Sequence, residues 1–264
     1  MWENLTLNVI GGILAGWAFA LWHTAVKTLT KHRFKQIFGF KASEEVPTTL
    51  VYEELASLDQ SHKFIYCKPG DATSGRRLSI SRPIPIASVR AVSYLSNTIG
   101  KFMRRSPAVR SDMVVRNLLD FDFICFGGPF SNVMTETCLD NAGNRLVVFD
   151  QKVNQFKRKN DGHALVEFHP GFDYGLILKV RPVQFPERVW IVCAGIGERG
   201  TSGAAWYLAN KWQELRRKVY DMPFAAFLKV EGNVHSGRDQ SAELLTIIVL
   251  NGDKIETTNL ENIS

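Results

Sequence analysis

The sequence predicts an α/β protein: a Rossmann-like, mostly parallel sheet with helices on both faces, preceded by one N-terminal transmembrane helix. Short apolar runs alternate with segments of helical periodicity, and glycine-rich turns follow two of the apolar runs. The chain has 264 residues, of which 45% are hydrophobic and 22% are charged. This composition is typical of a chain that can bury a core in one large domain or two small ones.

The transmembrane helix is predicted over residues 5–26. No formally charged side chain occurs from Val9 to Val26, and residues 5–8 extend this stretch to roughly the 20 residues that a bilayer crossing requires. A buried core helix is one alternative. A cleaved signal peptide is another, because "AFA" at 18–20 resembles a cleavage site, although no Lys or Arg precedes it.

A basic juxtamembrane linker is predicted over residues 27–49. Its first part, residues 27–41, contains five Lys or Arg residues and no acid. Positive residues favour the cytoplasmic side, so residues 50–264 should form a cytoplasmic domain. The aromatic residues in this stretch also suit an anionic membrane surface. Because much of the net charge of +6 is concentrated here, a nucleic-acid partner is not expected.

Small residues recur every four positions within the predicted span, at Gly12, Gly16 and Ala20. This spacing lets two helices approach closely, as in a GxxxG contact. The sequence therefore predicts a homo-oligomer that associates through these residues.

Several elements of the domain follow from periodicity. We expect a helix over 84–103, strands over 121–128, 145–150 and 188–195, and a polar loop or hairpin tip over 151–163. Residues 164–169 and 173–180 are expected to pair as strands. A helix beginning at Pro129 should follow the strand at 121–128. One amphipathic helix is expected to carry Ala205, Leu208, Trp212, Leu215 and Val219.

The four cysteines, Cys67, Cys125, Cys138 and Cys193, form no CxxC pair. Three of them lie in apolar runs, which favours buried, inert thiols over ligands or disulfides. No metal site is expected.

Two glycine turns at strand ends are the candidate binding site. The first is "FGGPFSN" and the second is "GIGERGTSG". In an open α/β sheet, ligands bind beyond the carboxyl ends of the strands, and free amides at a helix N-terminus bind anions. We expect the two turns to converge on one electropositive pocket. The alternative is that Ser131, Asn132, Thr201 or Ser202 merely caps a helix. The candidate ligand-binding residues are Gly127, Gly128, Ser131, Asn132, Gly195, Gly197, Glu198, Arg199, Gly200, Thr201 and Ser202.

A standard dinucleotide site is not predicted, although Gly195, Gly197 and Gly200 match GxGxxG. Such a site expects an acidic residue about 20 positions further on, at the end of the next strand. Glu214 lies instead within the predicted helix. No cofactor is therefore expected.

The pair "ICFGGPFSN" and "IVCAGIGERGTSGAAWYL" resembles the two glycine motifs of the SLOG superfamily, the Rossmann-like group that includes lysine-decarboxylase-like phosphoribohydrolases. Gly200 and Thr201 match the GT of that family's PGGxGTxxE motif, and the resemblance covers about residues 120–220. The family's catalytic Glu falls here on Ala204, and no Pro precedes the glycines. The resemblance implies a nucleotide-derived ligand, and the missing carboxylate implies a sensor rather than a hydrolase. Antiviral sensors in that group are often attached to membrane spans.

Acid–base candidates lie in and near the turns. Glu198 lies in the second turn, and "HPGFDYG" supplies His169 and Asp173. Solvated charges and a β-turn are the simpler interpretations of these residues. Other candidates at strand ends or in basic loops are Asp150, Tyr174, His235, Asp239, Arg76, Arg77, Arg104 and Arg105.

The sequence thus predicts a membrane-anchored cytoplasmic sensor for a nucleotide-derived anionic ligand, acting as a signalling or antiviral-defence effector. A hydrolase of nucleotides or N-glycosidic bonds, with Glu198 or Asp173 as its carboxylate, is one alternative. A structural membrane assembly protein is the other.

Overall fold

The computed structural model describes residues 2–39, 48–55, 64–66, 78–80, 83–103, 105–165, 168–231 and 239–260, with backbone only for 2–14, 64–66 and 78–80. The helices are α1 (Trp2–Phe38), α2 (Ile86–Met103), α3 (Asp112–Val115), α4 (Val133–Asp140), α5 (Glu198–Asn210) and α6 (Trp212–Val219). The strands are β1 (Thr49–Tyr52), β2 (Phe64–Tyr66), β3 (Leu78–Ile80), β4 (Ala108–Ser111), β5 (Phe123–Phe126), β6 (Val147–Asp150), β7 (Gln155–Arg158), β8 (Phe172–Val180), β9 (Trp190–Gly195), β10 (Phe224–Glu231), β11 (Glu243–Asn251) and β12 (Lys254–Asn259).

The main sheet has eight strands in the order β12-β11-β10-β8-β9-β5-β1-β4. The four strands β4, β1, β5 and β9 are parallel to one another. Beyond β9 the sheet continues through β8, β10, β11 and β12, each of which is antiparallel to its neighbours. The sheet is thus mixed: one half has the parallel strands that the sequence predicted, and the other half is antiparallel. Parallel strands covered on both faces are apolar throughout, and every residue of β5 and β9 is buried.

Helices cover both faces of the sheet, as predicted. The end of α1, together with α2, α5 and α6, packs on one face. Helices α3 and α4 and the β6–β7 hairpin pack on the other face. All the parallel strands end at one edge, between these two layers.

Helix α1 continues through residues 27–38, where the sequence suggested a linker. Its last turn buries Phe34, Ile37 and Phe38 in the core, and Phe34 stacks on Phe102 of α2 at 4.6 Å. Within the part of the chain whose placement is described, no helix is both long enough and apolar enough to cross a membrane. The transmembrane helix predicted over 5–26 is therefore not supported by the structure.

The segment after residue 150, predicted as a polar loop or hairpin tip, forms a hairpin in which β7 pairs with β6. Asn154 makes the turn with a φ of 52°. Phe156 is buried against Phe149 and Phe227, so one aromatic residue holds an otherwise polar strand on the domain. Strand β8 pairs with β9 and β10. The described residues of the range 164–169 form no strand, and none of them pairs with β8.

Two helix boundaries also differ from the prediction. Helix α4 begins at Val133, because Asn132 provides the cap and Pro129 lies in the preceding turn. The amphipathic helix is broken at Lys211, whose φ of −112° and ψ of 14° leave the helical region. The apolar periodicity continues across this one-residue break.

Cys125, Cys138 and Cys193 are buried free thiols, as predicted, and Cys67 lies outside the described residues.

Candidate functional site

The two glycine turns lie side by side at the carboxyl edge of the sheet. They follow β5 and β9, which are parallel neighbours. The Gly127 amide donates to the Cys193 carbonyl at 3.2 Å, and a Cβ at Gly128 would lie 3.4 Å from the Gly195 carbonyl oxygen. The convergence predicted from the sequence is therefore present in the structure.

The first turn is held by hydrogen bonds from the helix that follows it. The Asn132 side chain donates to the Phe126 carbonyl at 2.7 Å and accepts from the amides of Met134 and Thr135. The Thr135 hydroxyl donates to the Gly127 carbonyl at 2.9 Å. Asn132 is thus an N-cap that also fixes the end of β5, which is the capping role expected of its residue type.

A buried carboxylate, Asp112, occupies the remaining amide at the start of α4. Its oxygens accept from the amides of Val133 at 3.1 Å, Glu54 at 3.1 Å and Met113 at 2.9 Å. Burial raises the pKa of Asp112, and these three hydrogen bonds oppose that shift. The first amides of α4 are therefore bonded within the chain.

The amides at the start of α5 are occupied in the same way, by Asp173. This residue is the second of β8 and lies beside the end of β9, because Gly175 pairs with Gly195. Its carboxylate accepts from the amides of Gly197 at 3.0 Å and Gly200 at 2.7 Å. The position where the sequence predicted a ligand anion thus holds a carboxylate of the protein itself.

The glycines of the second turn allow close approach of the backbone. A Cβ at Gly195 would collide with the Thr201 amide, and a Cβ at Gly200 would collide with the Tyr174 carbonyl oxygen. Helix α5 consequently packs directly on β8. This is a packing role for glycines in a GxGxxG pattern.

A cleft of about 270 Å³ opens between the two turns. The start of α2 and the β6–β7 hairpin form its other walls. Its rim carries the exposed ring of Phe130, which meets Phe149 edge-on at 5.3 Å. The lining residues used below are Glu53, Phe130, Ser131, Phe149, Glu198 and Thr201.

Glu53 is the side chain in this cleft that sequence reasoning missed. It follows β1, is only 5% exposed and lines the cleft. One carboxylate oxygen accepts from the Ser88 hydroxyl at 3.3 Å. The other, Oε2, has no hydrogen-bond partner among the described residues. The Ser131 hydroxyl nearby donates instead to the Gly128 carbonyl at 3.2 Å.

The surroundings of Glu53 raise the pKa of its carboxyl group above the ordinary value. Burial raises the pKa most, the nearby hydroxyls of Ser131 and Ser88 lower it, and the negative charges of Asp112 and Glu198 raise it further. Because Glu53 and Glu198 line the cleft and no Lys or Arg is among its described lining residues, the cleft is acidic rather than electropositive. The sequence prediction differs here because it did not place Glu53 beside the turns.

A second cleft of about 350 Å³ lies beside the first and shares Ala87 and Glu198 with it. It is lined by two cations, Arg90 of α2 and Arg199 of α5, together with Asp173 and Ser202. Positive charge is thus present at the site, in the cleft beside the one that the two glycine turns enclose.

The two hydroxyls predicted to bind a ligand on α5 are buried. Ser202 donates to Asp239 Oδ1 at 2.8 Å, and Tyr94 of α2 donates to Asp239 Oδ2 at 2.8 Å. This network links α5 and α2 behind the second cleft. It raises the pKa of Tyr94 to about 12, chiefly through burial and then through the hydrogen bond to Asp239.

The other predicted acid–base residues lie away from the clefts. His169 is exposed, and its backbone amide donates to the Tyr174 hydroxyl. Asp150 pairs with Lys157 in the hairpin at 2.7 Å, and Arg105 is exposed. His235, Arg76, Arg77 and Arg104 lie outside the described residues. Within the described ranges, no group of three or more His, Cys, Asp or Glu side chains is arranged to hold a metal ion.

Comparisons with known proteins identify no relative of this chain. No protein-family model, curated protein or solved structure matches the chain. The resemblance to the SLOG superfamily therefore stays a prediction that rests on the two glycine motifs.

Proposed function

We propose that this domain is a sensor that binds a nucleotide-derived small molecule across the two adjoining clefts. The observation that carries the proposal is the Oε2 atom of Glu53, a buried acceptor without a partner, in a cleft between two glycine turns. Leaving such an atom unsatisfied costs about 1–3 kcal/mol. A ligand that donates a hydrogen bond to it recovers that free energy.

We expect the nucleoside part of the ligand to bind in the first cleft. Ribose hydroxyls are donors that carboxylates bind in nucleotide sites, and Glu53 and Glu198 both line this cleft. The ring of Phe130 is 66% exposed at the rim and offers a surface on which a base can stack. A phosphate group would be repelled by the two carboxylates.

We expect the phosphate end to bind in the second cleft, where Arg90 and Arg199 offset the carboxylates of Asp173 and Glu198. No Lys or Arg is among the described residues that line the first cleft. Guanidinium groups bind phosphate with two parallel hydrogen bonds. Because the clefts share Ala87 and Glu198, one extended ligand can occupy both. Such a ligand would contact α2, α5 and the turn that leads into α4, so its binding would couple the two helical layers of the domain.

Isothermal titration of the full chain with nucleosides, nucleoside mono-, di- and triphosphates and dinucleotides tests this proposal. We expect at least one phosphate-bearing member to bind, and Glu53→Ala to weaken it at least tenfold. Glu243→Ala, which removes an exposed carboxylate of β11, is the matched control and should bind like the wild type. Failure of the whole panel to bind would leave a structural assembly role for the glycine turns.

Hydrolysis of an N-glycosidic bond is a second candidate function, which the raised pKa of Glu53 favours over the carboxylates first considered. In this reaction the Glu53 carboxylic acid would protonate the leaving base nitrogen as the bond from C1′ to nitrogen breaks. Water would add to C1′, and its proton would restore the acid. Mass spectrometry of products distinguishes the two functions: Glu53→Gln should abolish any turnover of a ligand that the wild type cleaves.

A further inference from the structure

A second surface, far from the clefts in the fold, surrounds α1 where this helix leaves the domain. Two grooves flank the helix there. The larger, of about 880 Å³, lies between α1 and the end of α2. The other, of about 270 Å³, lies between α1 and α6.

Both grooves are lined by cations. Lys27, Lys31 and Lys101 line the larger one, and Arg33, Arg216 and Arg217 line the smaller one. We call these six residues the cationic collar. No acidic residue is among the described residues that line either groove. The collar therefore presents one sign of charge around the helix.

Apolar side chains lie next to the collar along α1. Trp17, Phe19, Leu21 and Trp22 are each at least 65% exposed. Trp22 precedes Lys27 by five residues, which is about 8 Å along the helix axis. An apolar band and a cationic band thus follow one another at the spacing of the hydrocarbon and headgroup layers of a bilayer.

The directions of the apolar side chains indicate what kind of partner fits. Successive helix residues are about 100° apart, so these four side chains point to several sides of α1. A protein groove or a second copy covers one side of a helix, whereas lipid can contact every side. We propose that the collar binds a bilayer rich in anionic phospholipid, with the apolar band of α1 inserted among the lipids.

Membrane binding by the collar does not depend on the two clefts at the sheet edge. Vesicle co-sedimentation of the full chain tests it. We expect binding to vesicles of phosphatidylcholine with 30% phosphatidylserine, and much weaker binding to phosphatidylcholine alone. Replacing two collar lysines in Lys27→Gln/Lys31→Gln should weaken binding roughly thirtyfold, since each cation near an anionic surface contributes about a factor of five. The control Lys152→Gln/Lys254→Gln removes two exposed lysines elsewhere and should bind like the wild type.

Insertion of the apolar band into the bilayer can be measured separately, by quenching of tryptophan fluorescence. Lipids brominated in their acyl chains should quench tryptophan fluorescence of the wild type, and Trp17→Phe/Trp22→Phe should remove most of that quenching. Circular dichroism must show that each variant is folded. Equal binding to neutral and anionic vesicles, equal loss in both lysine pairs, or self-association through α1 without vesicle binding would each overturn the proposal.

Discussion

The carboxylate of Asp173 lies at the N-terminus of α5, with its Oδ2 atom 2.7 Å from the backbone nitrogen of Gly200. A second bond, from the Gly197 amide to Oδ1, completes the contact. The helix N-terminus that the glycine pattern marks as an anion site thus carries an internal anion. The ligand site that we propose lies instead in the two clefts beside this helix end, one lined by Glu53 and the other by Arg90 and Arg199.

Removing the internal anion should destabilise the domain and expose the amides. We expect Asp173→Ala to lower the free energy of unfolding by about 1–2 kcal/mol, as loss of a helix cap does. In the wild type, any specific effect of sulfate should come from Arg90 and Arg199. In Asp173→Ala, sulfate should raise the melting temperature relative to chloride at equal ionic strength by more than it does in the wild type, because the amides of Gly197 and Gly200 become available. Equal responses of both proteins to sulfate would contradict this role of Asp173.

Glu53 should reduce stability while it provides the ligand contact. At pH 7.5 we expect Glu53→Gln to raise the free energy of unfolding by about 1 kcal/mol, because the neutral amide avoids burial of a charge. The folded-state pKa of Glu53 is raised. The charge penalty is therefore present above that pKa and disappears as the pH falls toward the ordinary value of 4.5. Urea denaturation at pH 7.5 and pH 4.5 should show the gain only at the higher pH.

Gly127 should tolerate no side chain, for two separate reasons. Its φ is +108°, and a Cβ there would collide with Oε2 of Glu53. We expect Gly127→Ala to lower the free energy of unfolding by about 2–4 kcal/mol. Gly162 is the control, since it has a φ of +71° but nothing within 4 Å of a Cβ. Gly162→Ala should cost only about 1–2 kcal/mol, and similar losses in both variants would show that Glu53 does not restrict this position.

Lys179 should make the attachment of α1 dependent on pH. This fully buried ammonium donates to the Gln36 carbonyl at the end of α1 at 2.9 Å and to Asp221 Oδ1 at 2.9 Å. Burial lowers the pKa of Lys179 from 10.5 to about 8. Between pH 8 and 10.5 the unfolded chain therefore binds a proton that the folded chain lacks, so stability from this residue rises with pH. Relative to Lys179→Met, the wild type should gain up to about 3 kcal/mol over this range, as measured by urea denaturation at each pH.

If a base stacks on Phe130, removing the ring should lower the affinity for the ligand without lowering the stability of the domain. Because the ring is mostly exposed, Phe130→Ala should change stability little. It should weaken the ligand identified by titration about tenfold, which corresponds to a stacking contribution of about 1–3 kcal/mol. Phe168→Ala, at a ring that is 40% exposed and lines neither cleft, is the matched control. Equal affinities of Phe130→Ala and the wild type would place the base elsewhere.

The sequence predicted the glycine turns because glycines at the end of an apolar strand are a local signal. It also predicted α2 and the buried strands β5 and β9, whose patterns are equally local. It missed Glu53 because β1 is only four residues long, and the contact of Glu53 with the turn at Gly127 joins residues far apart in the chain. It also missed the capping role of Asp173, which depends on the antiparallel pairing of Gly175 with Gly195.

The most direct measurement is a crystal structure of the full chain soaked with the tightest-binding member of the nucleotide panel. We expect ligand density between the turns at residues 127–131 and 195–198, with a ligand hydroxyl or amine within hydrogen-bond distance of Glu53 Oε2 and phosphate beside Arg90 and Arg199. A ligand bound at another place, with Glu53 Oε2 still lacking a partner, would contradict it.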